Sequence, residues 1–326
     1  MARLSRQLNR RQFGGALALG ALSTTLKSEP GSAMRSPEGS PVRTCIFSKH
    51  LQWLDYKEMA ETVARLNFDG IDLTVRPGGH VEPENVERDL PAAAAAVREA
   101  GLDLLIMTTA INDPDDPHTE KILATAADLD IEFYRMGYFR YEKGVPVDQV
   151  IDDVRRKMEG LAELNARHRV RGNYQNHAGT GYFGASLWDL REVLNKIGSD
   201  HLGSQFDIRH SVVEGAFSWV VDFRALSQHV QTVAIKDFFW EREGDQWNVI
   251  NCPLGEGAVD FPTYFELLHS TGFNGPISLH LEYPLGGAES GRRDLTIPSH
   301  RVLDAMRRDL SLLNQLLQEA GFSLTN

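Results

Sequence analysis

The feature that most constrains this chain is an alternation repeated eight times. Short runs rich in β-branched and apolar residues occur at 43–48 (RTCIFS), 69–75 (DGIDLTV), 102–108 (LDLLIMT), 131–136 (IEFYRM), 170–176 (VRGNYQN), 203–208 (GSQFDI), 230–236 (VQTVAIK) and 276–283 (PISLHLEY). Each is followed by a segment whose apolar residues recur at helical spacing, as in 55–66, 89–100, 148–167, 186–197, 262–272 and 298–320, with the sixth helix placed somewhere in 216–229. Several helices open on Asp, Ser or Pro and close on Gly, as capping chemistry requires. Nearly continuous apolar runs are those of parallel strands buried on both faces. Eight such units in about 280 residues predict an α/β fold, a (β/α)8 TIM barrel, as one domain over 43–326. A doubly wound open sheet is the runner-up, but no glycine-rich phosphate loop follows the first run.

A barrel places its functional groups where strands end and the following loops begin. The runs end at Lys49 and His50, Asp72 and Arg76, Thr108 and Thr109, Arg135, then Gln175, Asn176 and His177, then Asp207, Arg209 and His210, then Lys236 and Asp237, and finally His280 and Glu282. One polar strand end needs no explanation beyond its contact with water. Eight on one face predict a shared pocket.

Charge narrows the partners. The formal net charge is −11, yet residues 1–43 hold seven Lys/Arg against two Glu, so the rest of the chain stands at −16. A body this acidic repels a phosphate backbone and shows no basic stripe, so nucleic acid is not an expected partner. The two cysteines, Cys45 and Cys252, lack metal-site spacing. At the front, 9-NRRQFGGALALGALSTTL-26 pairs two arginines with a short, weakly apolar run. It reads as a twin-arginine export signal over 1–33, followed by a linker over 34–42 rich in Pro, Ser and Gly, and implies a periplasmic or extracytoplasmic protein. The apolar run is too short for stable membrane insertion, which needs about 20 residues.

The chain resembles the sugar phosphate isomerase/epimerase family of xylose-isomerase-like TIM barrels, in a subgroup carrying twin-arginine signals. The resemblance covers 43–320 and rests on 69-DGIDLTVRPGG-79, 174-YQNHAG-179, 205-QFDIRH-210, 232-TVAIKDF-238, 253-PLGEGAVDF-261 and 278-SLHLEY-283, in that order. It implies a divalent metal held by Glu, Asp, His and Glu after the fifth to eighth strands. The matching positions here are Gln175, Asp207, Ala234 and Glu282, so two agree, one keeps an oxygen without the charge, and one has lost its imidazole. The metal set implied is therefore Asp207, Glu282 and Gln175, holding Mn, Mg or Zn, with His210 as a substitute ligand or a partner for a sugar hydroxyl.

The resemblance also implies proton abstraction next to a carbonyl of a small-molecule carbohydrate, with Glu282 as one base and His177, His210 or Lys236 as the second group. Gln175 cannot carry a proton. Lys236 ends a buried strand, where it serves either as a base or electrophile or as the partner of Asp207, Asp237 or Glu282. Substrate contacts are expected from Arg76, Arg135, His210 and Trp240, with Trp188, Trp219 and Trp247 also near loops, while Glu256 reads as structural. The alternatives left open are a sugar-binding barrel without chemistry and a keto-sugar lyase using Lys or His without metal. A homo-oligomer is compatible with the sequence.

Overall fold

The computed structural model describes residues 41–325; the export segment and all but the last two residues of the linker lie outside the described residues. Eight parallel strands close into a barrel. They are β1 (Thr44–Phe47), β2 (Gly70–Val75), β3 (Asp103–Thr109), β4 (Phe133–Arg135), β5 (Arg171–Gln175), β6 (Leu202–Asp207), β7 (Val230–Ile235) and, after an inserted hairpin, β10 (Ile277–Leu279). Closure is made at β1, where Cys45 is in register with Gly70 of β2 on one side and Ser278 of β10 on the other. Every residue of β1, β2 and β6 is buried. Strands covered on both faces have no polar side to show, which is why they read as unbroken apolar runs.

The outer layer comprises α1 (Tyr56–Arg65), α2 (Val86–Glu99), α3 (Thr119–Asp128), α4 (Val147–His168), α5 (Leu187–Ile197), α6 (Ile208–Gly215), α7 (Trp219–Leu226), α8 (Phe261–Ser270) and α9 (Ser299–Glu319). Helix α1 shows how local chemistry fixes an element. Asp55 accepts from the Glu58 N–H and the Glu58 side chain reaches back to the Asp55 N–H, a capping box contributing about 1 kcal/mol. Its buried face, Met59, Ala60 and Val63, then packs on the barrel. At the other end of α5, Gly198 adopts φ +60° and stops the helix without the penalty a side chain would incur. Among the described residues no helix is long and apolar enough to cross a membrane. Both cysteines are buried free thiols.

The structure departs from the sequence expectation in three places. The fourth and eighth strands are shorter, three residues each, because the chain turns into mouth loops as soon as ladder bonding ends. The sixth helix is two, α6 starting directly from the end of β6 and α7 covering 219–226. The third departure is an antiparallel hairpin, β8 (Asp237–Glu243) and β9 (Gln246–Cys252), inserted after β7. Its signal was present in 237-DFFWEREGDQWNVINC-252: apolar and polar residues alternate around Gly-Asp, and Gly244 takes φ +61° at the turn.

Candidate active site at the barrel mouth

The Asp207-x-x-His210 spacing has a backbone origin. Asp207 is both the last residue of β6 and the N-cap of α6, accepting the His210 N–H at 3.1 Å through Oδ1. The cap leaves Oδ2 for its neighbours: it accepts from Gln175 Nε2 at 2.8 Å and pairs with the Lys236 ammonium at 3.1 Å. Asn176 ties the ends of β5 and β6 together, accepting from the Asp207 N–H at 2.8 Å and donating to its carbonyl at 2.9 Å.

Lys236 joins this carboxylate to a second one. Its Nζ lies 3.1 Å from Glu282 Oε2, while Lys49 Nζ lies 2.9 Å from Glu282 Oε1. Two carboxylates and two ammonium groups thus form a chain Asp207–Lys236–Glu282–Lys49 across the mouth. Asp207 is fully buried, the Lys236 side chain is 4% exposed, and Glu282 retains 23%, so Glu282 is the more accessible of the two carboxylates. Burial opposes the charge on both central members, but their partners prevail. Asp207 and Glu282 hold Lys236 above the usual lysine range, and the two lysines hold Glu282 well below the usual carboxylate range. Burial lowers the pKa of Lys49 in spite of Glu282.

The two mouth histidines lie with ring centroids 4.0 Å apart and their planes tilted by 34°, yet their hydrogen bonds give them opposite characters. His177 Nδ1 faces the Ala178 carbonyl at 2.8 Å, so Nδ1 carries the proton and Nε2 offers a lone pair. Arg209 donates to His210 Nδ1 at 2.9 Å, so the proton of His210 sits on Nε2, 3.7 Å from Asp207 Oδ2. Burial, with Lys236 nearby, lowers His177 to about 4 and His210 well below its usual value. Both are neutral at neutral pH, one an acceptor and the other a donor.

The expected substrate contacts divide. Arg76 is half-buried, its guanidinium 5.5 Å from the Phe47 ring centroid, with no carboxylate in ion-pair range among the described residues. Arg135 instead turns its fork on the protein. It donates to the Thr109 carbonyl at 3.1 Å, to Tyr138 at 2.7 Å and to Gln175 Oε1 at 3.1 Å. Tyr138 adds a 2.6 Å bond to the same Gln175 oxygen, which fixes the amide with its nitrogen toward Asp207. Trp219 is buried against Tyr264 and packs helix on barrel, whereas Trp188 lies exposed beneath Arg191. Trp240 and Trp247 stand exposed on the hairpin, and Trp240 meets Phe238 edge to face. The hairpin base belongs to the mouth: Asn251 of β9 accepts from Arg209 at 2.7 Å and donates to the Glu282 carbonyl at 3.2 Å. Glu256 lies on the loop after the hairpin, 3.8 Å from Arg308.

Sequence reasoning underweighted Lys49 and Tyr138. Lys49 follows the first strand directly, as the barrel rule requires; Tyr138 lies three residues beyond β4, and nothing in its local pattern separates it from a packing tyrosine. His50 is structural, donating toward the Ala288 carbonyl and accepting the Leu281 N–H at 2.9 Å, which pins the backbone beside Glu282. Deeper in the barrel, Asp72 accepts from Thr108 and Ser278 at 2.8 Å each, with His280 at 3.8 Å.

The residues implied as ligands of a divalent ion do not fit one as they stand. Lys236 is wedged between the two carboxylates, Gln175 turns its amide nitrogen toward Asp207, and Ala234 is a methyl group. His210 does not replace the missing imidazole, because Nδ1 is taken by Arg209 and Nε2 carries the proton. Among the described residues no cluster of three or more His, Cys, Asp or Glu side chains is arranged to hold a metal.

The family model described as xylose isomerase-like TIM barrel matches residues 60–306. A D-psicose 3-epimerase from Clostridium cellulolyticum H10, solved with D-tagatose, superposes with a TM-score of 0.65 at 14% identity, over 85% of this chain and 99% of that one. A 3-keto-D-glucoside 4-epimerase from E. coli gives 0.61 at 15% identity, over 83% and 99%. A xylose isomerase domain protein from Planctomyces limnophilus gives 0.58 at 17% identity, over 80% and 91%. No curated protein matches the chain.

Proposed function

Since the chain belongs to the xylose isomerase-like TIM barrel family, we propose that it is a sugar isomerase/epimerase-like enzyme that moves a proton at a carbon next to a carbonyl. The observation that carries this reading is Glu282, ionised and partly exposed between two ammonium groups, with the neutral His177 beside the same cluster. Glu282 takes the proton from carbon as the electron pair shifts onto the carbonyl oxygen, giving an enediolate. Reprotonation of the same carbon from the other face gives epimerisation, and of the neighbouring carbon gives isomerisation. His177 Nε2, unprotonated at rest, relays a proton from solvent to the other face while Glu282 releases the proton it took to solvent, and His210 Nε2–H and Arg76 donate to substrate oxygens. Trp240 offers an aromatic face beside the mouth on which a sugar ring can stack. The substrate is a small carbohydrate, with the ketohexoses and 3-keto-glucosides acted on by the structural neighbours as the first class to test.

Exchange of substrate C–H for deuterium in D2O, followed by proton NMR over D-fructose, D-psicose, D-tagatose and a 3-keto-glucoside, tests this directly. Loss of one C–H signal is expected with at least one sugar, slowed about 10²-fold or more in Glu282→Gln. A sugar that binds without exchanging, across the whole panel, would make the barrel a carbohydrate-binding protein. That second reading draws its support from Gln175, which cannot carry a proton.

A further inference from the structure

We propose that Lys236 is the resident cation of this site, doing with a fixed ammonium group what the divalent ion implied by the family resemblance would do. The inference rests on the proton-transfer reading of the mouth and names its electrophile.

Three observations support it. First, position: the ammonium lies 3.1 Å from Asp207 Oδ2 and 3.1 Å from Glu282 Oε2, the two carboxylates that match the ligand pattern, and it is buried. With Lys49 on the far side of Glu282, the two negative charges are already balanced by two positive ones. A dication placed on the same oxygens would confront Lys236 at close range in a poorly solvated site. Second, the donors that would complete an ion's shell are gone. Ala234, two residues before Lys236 and on the same strand face, presents a methyl group. Gln175 has its oxygen held by Arg135 and Tyr138, and His210 has neither nitrogen free to ligate. Third, capacity: an ammonium has three N–H donors, and at most two are engaged by the carboxylates, one in a hydrogen bond to Glu282 and one toward Asp207 at 3.1 Å. The third is left for a substrate oxygen at the mouth.

The step balances without an added reagent. Glu282 accepts the proton from carbon, the C–H electron pair becomes the C=C bond of the enediolate, and the carbonyl π pair moves to oxygen. Lys236 stabilises that oxygen by a charge-assisted hydrogen bond and returns to its starting state when carbon is reprotonated.

The test is calorimetric titration of MnCl2 into the EDTA-treated full chain, run alongside deuterium exchange with and without EDTA. Wild type is expected to bind no Mn²⁺ at micromolar concentration and to exchange at the same rate in EDTA. The double variant Lys236→Ala/Ala234→His is expected to gain Mn²⁺ affinity at least about tenfold, since the ammonium is removed and an imidazole supplied. One equivalent of Mn²⁺ bound by wild type at micromolar affinity and lost in Asp207→Ala overturns the proposal. So does exchange that EDTA abolishes and Mn²⁺ restores. If the double variant does not fold, the wild-type titration still decides. If no sugar exchanges, the proton-transfer reading fails while the titration reports separately on the cation.

Discussion

At the scale of single residues, the site assigns protons by hydrogen bonding more than by residue type. His177 and His210 are in ring contact and both neutral, but the Ala178 carbonyl fixes one tautomer and the Arg209 guanidinium the other. Replacing His177 by Gln should therefore lower kcat by about 10²–10³-fold with a small change in KM, the signature of a lost proton carrier. The sign of its pH dependence follows from burial. His177 is lowered to about 4, so it accepts a proton above that value, and kcat should fall as pH drops through about 4. A kcat for His177→Gln within twofold of wild type would assign the role to another group. Arg135 acts on a neighbour in the same way: its hydrogen bonds to Thr109, Tyr138 and Gln175 set the orientation of the Gln175 amide.

The element that shapes this mouth most is the β8–β9 hairpin together with the loop that follows it. Asp237, at the base of β8, is 1% exposed and accepts four backbone N–H groups, from Phe238, Gly255, Gly257 and Val259, at 2.8–3.3 Å. The fit is close enough that a Cβ on Gly257 would fall 2.2 Å from Asp237 Oδ1. One carboxylate thus holds the 253–259 loop against the hairpin. Asp237→Ala leaves those donors without their acceptor and should cost about 3 kcal/mol or more in urea unfolding. A loss under about 1 kcal/mol would mean the loop is held by other contacts. This also explains why the motif 253-PLGEGAVDF-261 follows a polar strand end: Gly257 admits the carboxylate, and Glu256 projects away toward Arg308.

For the whole molecule, buried neutral histidines set the response to acid. Burial lowers the pKa of His50, His80, His177, His210 and His280, so the unfolded chain binds protons before the native one does. Stability from these groups is fully present above the ordinary histidine pKa of about 6.5 and is lost as pH falls through the folded values. His80 lies away from the chemistry, bonded to Thr74 and lowered to about 4, and its share is about 3 kcal/mol. The stability of His80→Gln, measured by urea midpoints between pH 7 and 4, should fall less steeply than that of wild type. Identical slopes would show that His80 is already solvated in the native state.

The sequence by itself determined the barrel, because eight runs buried on both faces and joined by amphipathic helices have essentially one way to close. It also pointed to one end of the barrel for the candidate site, since the polar residues Lys49, Arg76, Gln175, His177, Asp207, His210, Lys236 and Glu282 all end or follow strands. Only the tertiary structure decided what those residues are to one another. Whether Lys236 is a free base or an ion-pair partner depends on distances to two carboxylates contributed by β6 and the segment after β10, more than 25 residues away on either side. The tautomers of His177 and His210 and the orientation of Gln175 depend likewise on groups brought together by folding. Periodicity encodes burial, which is local in sequence; charge pairing and proton position are properties of three-dimensional neighbours.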